Sequence, residues 1–161
     1  MSSQPAKNSV CNLIYLVKGK QVCLSLKKRG FGAGWYNGYG GKVEPGEGLE
    51  ASARRELWEE SGVAARVLER RAVLFFKFLD TGEEITTHVF LCEAYAGEPA
   101  ESEEMAPYWF AVDELPFEHM WPDDRLWLAR FLNGERLEAS FDFQTPGPKI
   151  LNYNIRALDK L

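Results

Sequence analysis

GKVEPGEGLEASARRELWEESGV, residues 41–63, sets Gly41, Glu47, Arg55, Glu56, Glu59, Glu60 and Gly62 at fixed intervals along one short stretch. Its second half, residues 51–61, is rich in Ala, Leu, Glu and Arg and has no internal Gly or Pro. It meets Gly62 where a helix would stop, so the composition predicts a helix. On that helix Glu56, Glu59 and Glu60 share one face. Like charges so spaced repel by roughly 0.2–0.5 kcal/mol per pair. Alone, such a helix reads as a solvated acidic face with Arg55 paired to Glu59. Clustered oxygen ligands also suit Mg²⁺ or Mn²⁺, and a bound dication removes the repulsion.

Outward from this stretch, the chain of 161 residues is long enough for a real core and short enough for one domain, expected over 9–161 behind a loose segment 1–8. Hydrophobic residues at 45% and charged residues at 27% are ordinary for a globular protein. A formal charge of −5 argues against a nucleic-acid polymer as partner. The odd number of cysteines, three, predicts free buried thiols in a reducing compartment. The N-terminus MSSQPAKNSV lacks a secretory apolar core, and no apolar run approaches the ~20 residues of a membrane span. A cytoplasmic protein with no membrane partner is expected, acting as a monomer.

Upstream, residues 10–17 and 21–27 are apolar and β-branched runs around Lys18-Gly19-Lys20, which predicts a hairpin. Asn12 interrupts the first run, either facing outward or facing a ligand. Residues 30–48 hold eight of the fourteen glycines, concentrating irregular backbone beside the acidic helix. The basic triplet Lys27-Lys28-Arg29 just before them reads as a solvated turn or as a phosphate contact. Downstream, 72–79 and 86–96 predict strands joined at Asp80-Thr81-Gly82, with His88 as a satisfied structural histidine. The acidic run 98–104 reads as a loop that can add one carboxylate, and 107–112 as a further strand. Asp123 and Asp124 open an amphipathic helix ending near 131–132, where they serve as N-cap and favourable first-turn charge. Strands over 136–143 and 149–155 close the chain around the turn 145–148. Strands on both sides of a helix, then a second helix, predict a mixed α/β layered domain.

Written as G-x5-E-x7-R-E-L-x-E-E-x-G-V, residues 41–63 match the Nudix box at every position, a pattern expected by chance on the order of once in a hundred million start sites. The resemblance implies a Nudix fold, an α/β/α sandwich with a mixed β-sheet, and hydrolysis of a nucleoside diphosphate linked to another moiety. Beyond the box, KKRGFGAGWYNGYGGKV at 27–43, HVF at 88–90, ESEEM at 101–105 and FEHMWPDD at 117–124 resemble the oxidised-purine nucleoside triphosphatases, the MutT-homologue group, over about residues 10–156. Their activity, sanitising the nucleotide pool, implies hydrolysis of 8-oxo-dGTP and 2-hydroxy-dATP to the monophosphate and pyrophosphate.

A purine pocket needs flat apolar walls and a few directional polar groups. Trp121 can stack on a base, and Phe31, Phe76, Ile85, Met105 and Trp127 can form the walls. Asn37 carries donor and acceptor on one amide. By resemblance Asn37, Asp123 and Asp124 read the base, with Asn12 and Lys27 also at the substrate. Two adjacent carboxylates in a dry pocket cannot both ionise easily, so one keeps its proton. Moving that proton would let the same pair face guanine or adenine. Three positions depart from the better-known members: Asn12 stands for threonine, Ile85 for methionine and Thr86 for aspartate.

The resemblance also implies a metal set of the Gly40 carbonyl, Glu56, Glu59 and Glu60, holding Mg²⁺ or alternatively Mn²⁺. Glu104 completes it as ligand or base, and Arg55 orients Glu47 or Glu59. Which glutamate is the base stays open. The alternatives are a Nudix hydrolase of methylated purine nucleotides such as O6-methyl-dGTP, of ADP-ribose or of a dinucleoside polyphosphate, and a non-catalytic nucleotide-sensing module.

Overall fold

A computed structural model describes residues 8–30, 32–145 and 148–161. The loose segment expected over 1–8 falls outside them except for Asn8, which already belongs to the first strand, and the expected turn at 145–148 falls outside at 146–147. The strands are β1 (Asn8–Lys18), β2 (Gln21–Lys27), β3 (Tyr36–Asn37), β4 (Tyr39–Lys42), β5 (Ala64–Phe78), β6 (Glu84–Ala96), β7 (Met105–Ala111), β8 (Arg136–Gln144) and β9 (Lys149–Leu158). Helix α1 (Leu49–Ser61) lies between β4 and β5, and α2 (Asp124–Leu132) follows a 3₁₀ turn at Phe117–His119.

Among the described residues all nine strands join one sheet, in the order β3-β2-β1-β6-β5-β8-β9, with β4 paired to β1 and β7 to β2. The β1–β6 and β5–β8 pairs are parallel and the rest antiparallel, so the sheet is mixed. Both faces of β1 are buried because its apolar residues run on without alternation. Ile14 and Leu16 pack with Ala53 and Leu57 of α1. Tyr15, between them, packs with Trp127, Leu128 and Phe131 of α2. Each fully buried Leu or Phe stabilises by about 1.5–3 kcal/mol. The helices therefore flank the sheet, which is the expected α/β/α sandwich.

The chain turns where the sequence says it should. Gly19 at φ 60 makes the β1–β2 hairpin, and Gly62 at φ 75 ends α1 with its N–H donating to the Trp58 carbonyl at 2.9 Å. Helix α1 starts two residues before the predicted 51 because its N-cap is Gly48, which leaves no side-chain capping signal. Strand β5 starts at Ala64 rather than 72. Register shifts between Ala65 and Val67, Val67 and Glu69, and Arg70 and Ala72 break the alternation that would have revealed its first half. The short strands β3 and β4 were not predicted at all, since β4 contains Gly40 and Gly41.

Candidate functional site

Strand β4 lies against β1 with Gly41 opposite Asn12 and Gly40 opposite Leu13. A methyl group at Gly40 would run into the Asn12 carbonyl, and one at Gly41 would sit 2.6 Å from the Glu56 carboxylate. Only glycine lets the strand come so close to both β1 and α1. Asn12 seals this junction from within: its Nδ2 donates to Ser52 Oγ at 2.6 Å, and its Oδ1 accepts from the Gly41 N–H at 3.3 Å. Asn12, 2% exposed, is thus tied to α1 and β4, and this fastening role stands beside the expectation that it meets substrate.

Arg55 is the hub of the acidic stretch. Its Nε and Nη2 grip Glu47 at 2.8 and 3.0 Å, and its Nη1 donates to Glu56 at 3.0 Å and to Glu59 at 3.3 Å. The two-pronged grip holds the Glu47 carboxyl down to about 2. Of the two partners expected from the sequence, Glu47 holds Arg55 more closely and Glu59 more loosely. On the other side of the helix end, Glu60 Oε1 accepts from the Gly40 N–H at 2.8 Å. Burial pushes the Glu60 carboxyl up to about 7; Glu56 and Glu104 add to the rise, while the Gly40 N–H and Lys27 oppose it. Glu104 pairs loosely with Arg29 at 3.6 Å.

Among the described residues no three acidic, histidine or cysteine side chains stand gathered to hold an ion, so Glu56, Glu59, Glu60 and Glu104 do not form a closed metal cage. The reason is in the bonds just given: Arg55 holds Glu56 and Glu59, and Gly40 holds Glu60. The donors nevertheless fit a divalent metal. Glu56, Glu59 and Glu60 are hard oxygens on one helix, Glu60 feels the charges of both Glu56 and Glu104, and the Gly40-Gly41 backbone comes close against Glu60 and Glu56.

Beside Glu60 opens a cavity of about 390 Å³. Gly40 and Glu60 line one part of it, and Lys27, Asn37, Phe76, Ile85, Met105, Trp121, Asp123, Asp124 and Trp127 line the rest. Asn12 also contributes to the wall. Phe31 lies outside the described residues. Thr86 pairs with Phe75 across the strands and does not line the cavity, unlike its neighbours Ile85 and Thr87. Cys11, Trp35, Phe78, Thr87 and Phe143 line it too and were not singled out from the sequence. Trp121 is flanked by two of them: Trp35 at 5.8 Å between ring centroids and Phe143 at 6.0 Å, edge to face. Alternation along β8 places Phe143 on the inner face, but only the parallel pairing with Phe78 of β5 brings it here.

His88 is the satisfied structural histidine expected, its Nδ1 meeting Arg70 at 3.0 Å. Cys11, Cys23 and Cys92 are free thiols, Cys11 half-buried and the others buried.

Asp123 and Asp124 are both 3% exposed. Asp123 precedes α2 but makes no capping bond; its Oδ2 instead accepts from the Trp127 indole N–H at 2.8 Å. The N-cap reading is thereby replaced. Asp124 leaves Oδ2 buried without a partner, which suits a protonated carboxyl turned to a ligand. Burial raises Asp123 to about 6, with Trp127 holding it down, and raises Asp124 well beyond the ordinary range, the neighbouring Asp123 charge adding to it. Folded-state values lie above the unfolded ~3.9. The pair therefore contributes full stability below about pH 4 and loses it as pH rises through about 6 and above. Asp124→Asn needs no proton, so the fall in Tm between pH 5 and pH 8 should shrink in the variant. Calorimetry at both pH values checks this; an unchanged gap would mean that Asp124 ionises freely.

The NUDIX-domain family model matches residues 6–131. The chain is 45% identical over 137 residues to the oxidized purine nucleoside triphosphate hydrolase of Danio rerio, covering 85% of this chain and 88% of that protein. It is 42% identical over 147 residues to the protein of the same name from Mus musculus, covering 91% and 94%. Among solved structures, the MutT protein of Bacillus halodurans superposes with a TM-score of 0.79 at 27% identity, over 91% of this chain and 97% of that one.

Proposed function

Because this chain belongs to the NUDIX family, we propose that it hydrolyses oxidised purine nucleoside triphosphates, 8-oxo-dGTP and 2-hydroxy-dATP among them, to the monophosphate and pyrophosphate. It is a Nudix hydrolase, and relatives 42–45% identical over most of its length carry the name of that activity. One observation supports the substrate above others. A single cavity is lined both by polar groups suited to a purine edge, Asn37, Asp123 and Asp124, and by Gly40 and Glu60 of the acidic stretch. A base held at the first set places its phosphates toward the second.

Trp121 and the apolar wall of Phe76, Ile85 and Met105 suit the flat base. Asp124, protonated, can donate to a carbonyl oxygen while Asp123 accepts from an N–H. Lys27 lies in the same wall and can meet phosphate oxygens. The Gly40 carbonyl, Glu56, Glu59 and Glu60 would hold a divalent metal, which we take to be Mg²⁺, with Glu104 alongside. Such an ion supplies charge neutralisation on the phosphate oxygens and lowers the pKa of a water. With a metal bound, one carboxylate of this set would accept the proton of the attacking water. Arg55 orients the set through Glu47 and Glu56 rather than touching substrate. Among the described residues no helix is long and apolar enough to cross a membrane. We propose that the protein acts in the cytoplasm as a monomer.

The test is pyrophosphate release with Mg²⁺ from 8-oxo-dGTP, 2-hydroxy-dATP, O6-methyl-dGTP, dGTP and ADP-ribose, side by side, and again with excess chelator. The oxidised purines should run at least tenfold ahead of dGTP in kcat/KM, and chelation should stop all of them. A lead for ADP-ribose would leave the hydrolase and remove the oxidised-purine triphosphate reading of the pocket.

A further inference from the structure

We propose that the Tyr15 hydroxyl is a positioning group that acts with the Gly38 N–H to hold the Asn37 amide with its NH₂ end toward the base. The proposal rests on the purine-nucleotide reading of the same pocket. Tyr15 stands in the middle of β1 with no exposed surface, and its hydroxyl donates to Asn37 Oδ1 at 3.4 Å. The Gly38 N–H donates to the same oxygen at 2.8 Å. A main-chain N–H can only donate, so an amide turned the other way would set its NH₂ against that hydrogen. Two protein donors therefore hold Oδ1, and Nδ2 is the end left for the cavity that Asn37 lines.

The consequence is a rule about the ligand. Asn37 has both a donor and an acceptor, but in this setting it offers the base a donor. It selects a ring nitrogen or a carbonyl oxygen at that point of the base edge and disfavours an N–H there.

The surroundings of Tyr15 fit this role. Its ring meets Trp127 edge to face at 6.0 Å and Phe131 at 5.7 Å, and Trp127 in turn donates to Asp123. One buried aromatic pair thus reaches two of the three polar readers of the pocket, Asn37 through an O–H and Asp123 through an N–H. A methyl group on Gly38 would come within 2.8 Å of the Ile14 carbonyl and 3.1 Å of the Tyr15 ring, so glycine is what lets the Asn37-Gly38 step lie this close to β1 and its hydroxyl. Ser25 Oγ also donates to the Asn37 carbonyl, at 3.3 Å, which pins the backbone from the neighbouring strand. Packing alone would be served by phenylalanine. The buried hydroxyl is the part that calls for partners, and the Asn37-Gly38 step supplies them.

The experiment is a double-mutant cycle with Tyr15→Phe, Asn37→Ala and both together, reading KM and kcat on 8-oxo-dGTP and the binding of its monophosphate by calorimetry. Tyr15→Phe should raise KM and weaken monophosphate binding about three- to tenfold, with kcat moving far less and Tm within a few degrees. In the Asn37→Ala background the same change should do almost nothing. An equal loss in both backgrounds overturns the proposal, as does a fall in kcat at constant KM. If the wild type prefers another nucleotide, the purine-pool reading fails, and the cycle run on that nucleotide still decides whether Tyr15 acts through Asn37.

Discussion

Glu60→Gln should lower kcat roughly 10²–10⁴-fold while leaving the fold and nucleotide binding in place. The expectation follows from how the side chain is held. Glu60 sits in the last turn of α1 and receives the Gly40 N–H on Oε1 at 2.8 Å, a bond that a glutamine carbonyl can keep. What the substitution removes is the charge and the basicity, both of which the reaction uses whether Glu60 binds metal or takes a proton. Single-turnover pyrophosphate release would read the loss, and a thermal melt would show the fold retained. Activity within tenfold of wild type would take Glu60 out of the catalytic set.

A second large effect separates two neighbouring glycines. Gly40→Ala drives a methyl into the Asn12 carbonyl, a backbone atom on the next strand that cannot move aside without opening β1 from β4. It should destabilise the protein by about 3 kcal/mol or more and leave little folded enzyme. Gly41→Ala brings its methyl to 2.6 Å from the Glu56 carboxylate, the far end of a side chain that can swing away. This variant should fold, at a cost of about 1–3 kcal/mol, and lose most turnover because Glu56 leaves its place beside Arg55. Urea denaturation and the pyrophosphate assay on both variants would distinguish the outcomes. A Gly40→Ala protein as stable as wild type would mean that the two strands can part without harm.

Much of this was legible in the sequence, and the limits have physical causes. The helix announced itself through composition and its terminal glycine, and the spacing of Glu47, Arg55, Glu56, Glu59 and Glu60 identified the family before any coordinate. The identity of Arg55's main partner was not legible. A helix surface favours the i,i+4 pairing to Glu59, whereas the fold brings Glu47, eight residues back on the preceding loop, into two-pronged contact. Asn12 was ambiguous because strand alternation tells which residues share a face but not which layer that face meets. Asp123 and Asp124 fitted helix-capping rules so well that burial was needed to show otherwise. Trp35 and Phe143 escaped notice because their role comes from meeting Trp121 across the sheet, and strand order is not written in any local pattern.

Successive residues of β1 serve different masters. Ile14 and Leu16 support the helix that carries the hydrolytic groups, while Leu13 and Tyr15 turn to the layer that holds the base. Between residues 13 and 16, a change at an odd position reaches the base-holding layer first, and a change at an even position reaches the hydrolytic helix first, so one strand offers separate handles on selectivity and on turnover.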